Sequence, residues 1–212
     1  MDGQDQVEAY ASADFSAGDQ ALVDRLQVLF PHGLGASVVD LGCGPGNISF
    51  RLATSFPGVS VLGLDGAPEM LALAHRELAR RPALNSRLRF QEVVLPSSGL
   101  ARCHSAVVSN SLLHHLHDPS VLWQAVRQLG CSGAAVYVKD LRRPSSLQEV
   151  ERLRECYVND APPVLQRDYV ASLQAAFTPQ EVKQQLQQAG LADQLRVNAV
   201  EDRYLEVWGS LL

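Results

Sequence analysis

The sequence predicts an α/β domain: an open, mostly parallel sheet of seven strands between two helical layers, with its last strand antiparallel. Three observations carry this reading. Val38 to Phe50 reads V-V-D-L-G-C-G-P-G-N-I-S-F, an apolar, β-branched strand that runs into a glycine turn and then a helix. Strand-like and helix-like segments alternate along most of the chain, as they do when crossovers join parallel strands. The last two strand-like segments, 195–200 and 203–208, are joined only by Glu201-Asp202. So short a link makes a hairpin, and the pair runs antiparallel.

The elements follow in order. Residues 4–12 and 19–30 have helical character, and Val23, Leu26, Val28 and Leu29 give the second an apolar face. Pro31-His32-Gly33 ends it. The first strand is expected at 36–41 and the first crossover helix from Asn47. After the Pro57-Gly58 turn, V-S-V-L-G-L-D forms a second strand that ends at Asp65. Pro68 suits the first position of the next helix. A third strand is expected at 87–94 and a fourth at 105–110. A helix begins at Asp118-Pro119-Ser120, and a fifth strand covers 133–140. Helical segments at 144–158 and 164–176 form an insertion. A helix from Thr178 or Pro179 to Gln188 is closed by Gly190.

Composition narrows the class. The 212 residues are 46% hydrophobic and 19% charged, ordinary values for one globular domain. The whole chain is read as a single domain, with a helical cap at 1–33 and a substrate-side insertion at 141–176. A net charge of −5 argues against a nucleic-acid surface, which carries a basic patch. No run of about 18 apolar residues suggests a membrane span. The N-terminus is acidic and polar, unlike a signal peptide, so a cytoplasmic setting is expected. Cys43, Cys103, Cys131 and Cys156 show no C-x-x-C spacing and are expected to be reduced, mostly buried thiols.

The chemistry starts at the carboxyl end of the first strand. Asp40 stands there, followed by Gly42, Gly44 and Gly46. Glycine permits φ > 0 and close approach of the backbone to a ligand. A dinucleotide fingerprint needs G-x-G-x-x-G, but here the third glycine comes one residue early and Asn47 holds its slot. D-x-G-x-G-x-G resembles the first motif of the class I S-adenosylmethionine-dependent methyltransferases. Asp65, about 20 residues further on, ends the second strand where an acid accepts ribose hydroxyls.

That resemblance implies a three-layer, Rossmann-like methyltransferase fold and S-adenosylmethionine as cofactor. Asp40, Gly42, Gly44, Gly46 and Asn47 would line its methionine and ribose end, with Asp65, Gly66 and Met70 continuing along the second strand and helix. Relatives place an acid near the adenine after strand three. Here F-Q-E-V-V-L-P offers apolar Val93 and Val94, so Val94, Leu95 and backbone groups take that part. Asn110 ends the central fourth strand, at the switch point where open α/β sheets bind ligands. The following L-H-H-L resembles small-molecule enzymes of the ubiquinone and menaquinone methyltransferase type, which implies a small-molecule acceptor.

The reaction in that class is an in-line displacement at a methyl group, in which the protein aligns the partners and excludes water. A base is needed only for an acceptor that arrives protonated, and His114, His115 and Asp140 are the candidates. Neighbours on a helical turn point about 100° apart, so one histidine at most faces the pocket. His117 reads as surface or capping, and no ligand set accompanies the three histidines, so no metal is expected. Tyr10 in the cap and Tyr169 in the insertion are candidates to wall the substrate, with Arg167, Asp168 and Ser172 as polar companions. Two alternatives stand beside methyl transfer. One is a non-catalytic regulatory or scaffold protein that binds the same cofactor. The other is a nicotinamide oxidoreductase, which Asn47 and the terminal hairpin disfavour.

Overall fold

The computed structural model describes residues 16–97, 99–100 and 103–212. The expected helix at 4–12 and the candidate Tyr10 lie outside the described residues. In chain order the elements are α1 (Ser16–Leu29), β1 (Ser37–Leu41), α2 (Asn47–Ser55), β2 (Ser60–Asp65), α3 (Pro68–Ala79), β3 (Leu88–Glu92), β4 (His104–Asn110), α4 (Ser120–Leu129), β5 (Gly130–Leu141), α5 (Leu147–Val158), α6 (Pro163–Ala175), α7 (Pro179–Gln188), β6 (Leu195–Val200) and β7 (Tyr204–Ser210). Short 3-10 turns occupy Pro82–Leu84 and Leu113–His115.

The sheet order is β3-β2-β1-β4-β5-β7-β6. β1 to β5 are parallel, and β7 runs antiparallel between β5 and β6. Chain order reverses direction between β1 and β4, so their carboxyl ends frame the crevice. Val38, Val39 and Leu41 of β1 are fully buried, as a strand covered on both faces requires.

Two apolar layers enclose the sheet. On one face Leu22, Val23 and Leu26 of α1 pack with Ile48, Phe50 and Leu52 of α2 and Leu71 of α3. On the other, Leu122, Trp123 and Val126 of α4 pack with Val182 and Leu186 of α7. A smaller cluster of Leu141, Val150, Leu153, Leu173 and Ala176 holds the insertion together. Ser146 caps α5 by accepting from Glu149 N, and Thr178 and Glu181 form a capping box on α7. The first and last described elements, α1 and β7, are also joined: Arg25 donates to both carboxylate oxygens of Glu206, at 3.0 and 2.7 Å.

Two strand boundaries and the cysteines depart from expectation. β3 is shorter than 87–94. β5 begins at Gly130 rather than Gly133, because a register shift between His104 and Ala106 lets the ladder continue past the glycine. Cys103 and Cys131 form a disulfide, with Cα atoms 4.8 Å apart. His104 pairs with Gly130, which brings the flanking cysteines together across two parallel strands. No local spacing signals such a contact. Cys43 is a buried free thiol and Cys156 an exposed one. No helix among the described residues is long and apolar enough to cross a membrane.

Candidate active site

The glycine loop is built by three left-handed residues, Gly42, Gly44 and Gly46, with φ of 69°, 54° and 90°. They serve different ends. A Cβ at Gly42 would lie 2.9 Å from Leu112, and one at Gly46 would lie 2.7 Å from the Phe90 ring. A Cβ at Gly44 would meet nothing within 4 Å. Gly42 and Gly46 therefore make room for the protein's own side chains, whereas Gly44 borders open space. Leu64 O anchors the loop by accepting from Gly42 N and Cys43 N at 2.8 and 3.0 Å.

Asp65 sits at the rim of this space, half-buried. Its Oδ2 accepts from Gly44 N at 2.7 Å and its Oδ1 from Ala67 N at 2.8 Å. Each carboxylate oxygen has a second lone pair, so the side chain shapes the loop and keeps acceptor capacity for a hydroxyl pair. Asp40 is placed differently from the sequence-based expectation. It is 1% exposed and accepts from Ser49 Oγ at 2.6 Å, tying β1 to α2 beneath the loop. Burial pushes its pKa up to about 7, helped by the Asp65 charge and opposed by the Ser49 hydrogen bond.

The other cofactor candidates spread along the same edge. Asn47 is exposed at the start of α2. Gly66 and Val94 adjoin: a Cβ at Gly66 would lie 3.4 Å from Val94 Cγ2. Val94 is 70% exposed, Leu95 is half-buried, and Met70 is buried inside α3 rather than at the surface. Asn110 ends β4 opposite Lys139. Ser111 follows with φ of 57°, a conformation that non-glycine residues adopt at a cost and that clusters at functional sites. Its N–H donates to Lys139 O at 2.9 Å.

The two histidines part ways, as the helical-turn argument requires. His114 is buried, with Nδ1 2.5 Å from Asp140 Oδ1. The same carboxylate accepts from Leu113 N and Leu141 N, each at 2.7 Å. With Asp140 as a carboxylate, Nδ1 carries the hydrogen and Nε2 is the basic nitrogen. His115 reaches the surface, its ring centroid 4.0 Å from that of His114. Partial shielding from water, and then His114 beside it, push its pKa down to about 4. His117 is exposed, and Asp118 accepts from Ser120 N at 2.9 Å.

Tyr169 is half-buried and its ring packs against the insertion's apolar cluster. Its hydroxyl is buried and makes no well-formed hydrogen bond among the described residues. α6 itself lies against the Leu113–His115 turn. Arg167 donates to Asp168 at 3.3 Å.

Lys139 and Arg203 were absent from the expected site. Lys139 is 7% exposed, and its Nζ lies 4.2 Å from the centroid of the Tyr204 ring. The Arg203 guanidinium lies 4.8 Å from that same centroid and 3.4 Å from that of Tyr157. One signal for Lys139 was available. In G-A-A-V-Y-V-K-D it is a cation within a strand that is otherwise apolar up to its terminal acid.

Comparison with known proteins agrees with this architecture. Residues 39–136 match the family model described as a methyltransferase domain. The fold is that of the S-adenosylmethionine-dependent methyltransferases. A crystal structure of such an enzyme from Aquifex aeolicus superposes with a TM-score of 0.68 at 15% identity, covering 97% of each chain. The plantazolicin methyltransferase BamL, solved in complex with a triazolic desmethylPZN analog and S-adenosylhomocysteine (SAH), gives 0.70 at 14% identity, covering 96% of this chain and 89% of that one. Among curated proteins, trans-aconitate 2-methyltransferase of Methylobacterium nodulans is 33% identical over 115 residues, 54% of this chain and 40% of that protein. The Deinococcus radiodurans enzyme of that name is 37% identical over 109 residues, 50% of this chain and 39% of that protein. The matched part of the chain thus spans about two fifths of the length of these relatives.

Proposed function

We propose that this chain transfers a methyl group from S-adenosylmethionine to a small-molecule acceptor by in-line displacement. The observation that carries the reading is the open space over Gly44 with the Asp65 carboxylate at its rim. That cradle fits a nucleoside with two ribose hydroxyls, to which Asp65 offers charged acceptors. Val94, Leu95 and Gly66 suit the flat face of an adenine ring, and Asn110 and Ser111 floor the methionine end. Buried Asp40 and Met70 act through the loop and helix they hold. The trans-aconitate relatives support a small acceptor. A rat ubiquinone biosynthesis O-methyltransferase, 24% identical over 111 residues (51% of this chain, 32% of that protein), keeps the ubiquinone-type subgroup in view.

The cofactor, when bound, supplies a methyl group already activated on a sulfonium. The residues of this chain then align, dry and deprotonate. The insertion at 141–176 lies against the Leu113–His115 turn and would shield the acceptor from water. His114, held by Asp140, offers Nε2 as a base for an acceptor that arrives protonated. The chain acts as one domain in this reading, with the cap and the insertion as its substrate side.

The test is calorimetry with SAH and with NAD(H). Incubation with S-adenosylmethionine and extract of the source cell then follows, with mass-spectrometric search for a product heavier by CH₂. Binding of SAH and not NAD(H) is expected, together with such a product. Tight NAD(H) binding without SAH binding would overturn the reading, and SAH binding with no methylated product would leave the non-catalytic alternative.

A further inference from the structure

We propose that Lys139 and Arg203 form a subsite for an oxyanion, a carboxylate or phosphate group, on the methyl acceptor. The inference rests on the methyl-transfer reading and adds to it the chemical class of the substrate.

Its basis is two cations that share one aromatic ring and lack an anion. Among the described residues no carboxylate lies within ion-pairing distance of Lys139 or Arg203. Neighbouring acids are engaged elsewhere or stand too far off. Glu206 binds Arg25 through both oxygens. Asp202 binds Arg152 and Tyr157, at 2.8 and 2.7 Å. Asp19, in the first turn of α1, has an interaction of its own. Glu201 favours the charged lysine, but only from beyond pairing distance. The Tyr204 and Tyr157 rings compensate in part through cation–π attraction. A charge removed from water is otherwise costly unless paired.

Two further atoms point the same way. The Tyr169 hydroxyl lies beside the Arg203 guanidinium and favours its charged form, yet neither that hydroxyl nor Arg203 Nε makes a well-formed hydrogen bond among the described residues. A guanidinium N–H and a hydroxyl with donor capacity to spare, beside two cations, match the needs of an oxyanion. Burial lowers the Lys139 pKa, and Arg203 adds to that effect, so a bound anion would relieve both.

The position suits the acceptor. Lys139 pairs with Asn110 at the carboxyl edge of the sheet, the edge that carries the glycine loop. Arg203 precedes β7, where its carbonyl accepts from Arg142 N at the root of the insertion.

The experiment uses the full chain with and without SAH. Succinate and phenyl phosphate are titrated by calorimetry, with neutral succinamide as control. The two anions separate a carboxylate subsite from a phosphate one. At least one should bind ten or more times more tightly than succinamide, and less tightly as salt is raised. Lys139→Met should abolish that preference while changing SAH affinity less than twofold, and Lys139→Arg should restore most of it. Melting curves confirm that each variant is folded, and Arg203→Gln provides an independent second variant. Anion binding no better than that of succinamide, or unaffected by both Lys139→Met and Arg203→Gln, would overturn the proposal. So would a parallel loss of SAH affinity in Lys139→Met, which would assign the cation to the cofactor's own carboxylate. Lys139-dependent anion binding without any SAH binding would keep the subsite and overturn methyl transfer.

Discussion

The carboxylate of Asp65 accepts a hydrogen bond from the backbone N–H of Gly44 at 2.7 Å, so the acid that ends β2 holds in shape the loop that follows β1. Its other oxygen caps the turn into α3 through Ala67 N. A side chain suited to a ligand is therefore also part of the scaffold.

Asp65→Ala should accordingly have two effects. Loss of charged acceptors for ribose hydroxyls should weaken SAH binding by about ten- to a hundredfold, roughly 1.5–3 kcal/mol. Loss of the two backbone partners should also lower stability, by about 1–3 kcal/mol. Calorimetry and denaturant melts measure the two separately. Full affinity in a folded Asp65→Ala protein would place the nucleoside elsewhere.

Gly44 and Gly46 should respond differently to the same substitution. Gly44→Ala adds a methyl group to open space, at a left-handed cost of about 1–2 kcal/mol, and intrudes on the ligand. Gly46→Ala drives its methyl group into Phe90 and Phe50, adding about 1–3 kcal/mol of overpacking. The first variant should lose affinity more than stability and the second the reverse, as read by SAH titration and chemical denaturation.

The His114–Asp140 pair separates chemistry from structure. Asp140→Ala strands the buried N–H groups of Leu113 and Leu141, each worth about 1–3 kcal/mol, so its melting temperature should fall sharply. His114→Gln should melt near wild type. It should slow methyl transfer by about 10²-fold or more if Nε2 is the base. Equal rates in wild type and His114→Gln would confine His114 to holding the loop.

Asp40 should make stability fall with rising pH. Its pKa is about 7 in the folded protein, against about 3.9 when unfolded. Between those values the folded state binds more protons, so the contribution is complete below about pH 4 and lost as pH rises through about 7. Asp40→Asn keeps an acceptor for Ser49 and removes the ionisation. Its gain over wild type should be small at pH 4 and grow to at most about 4 kcal/mol at pH 8, measured by urea melts at each pH.

Thiol counting tests the Cys103–Cys131 bond. Unfolded without reductant, the chain should show two reactive thiols, Cys43 and Cys156, and four once reduced. The bond closes a loop of 28 residues, so reduction should cost about 3–4 kcal/mol by the chain-entropy estimate. Four reactive thiols in the unreduced, unfolded protein would show that the bond does not form.

Some features were legible in the sequence because they are local. The V-V-D-L-G-C-G-P-G run announces strand, turn and helix within a few residues, and the two-residue link at Glu201-Asp202 fixes the terminal hairpin. Others depend on what the sheet brings together. Cys103 meets Cys131 only because β4 and β5 are neighbours in register. The motif places Asp40 at the loop but does not show that Ser49, on the next helix, donates to it. Lys139 stood next to Asp140 in the same strand, yet alternation sends them to opposite faces. Arg203, in the short hairpin turn, acquires its setting only once β5, β7 and the insertion have met.

The pair formed by Arg25 and Glu206 has a consequence for synthesis. Its members are 181 residues apart, and ribosomes add about 5–20 residues per second. Helix α1 is therefore made some ten to forty seconds before its counter-charge exists. During that interval its arginine has no such partner in the nascent chain, and β7 has yet to be inserted beside β5. The domain is thus completed from its last strand, and a ribosome that stalls before Glu206 leaves every earlier element made and the fold unlatched.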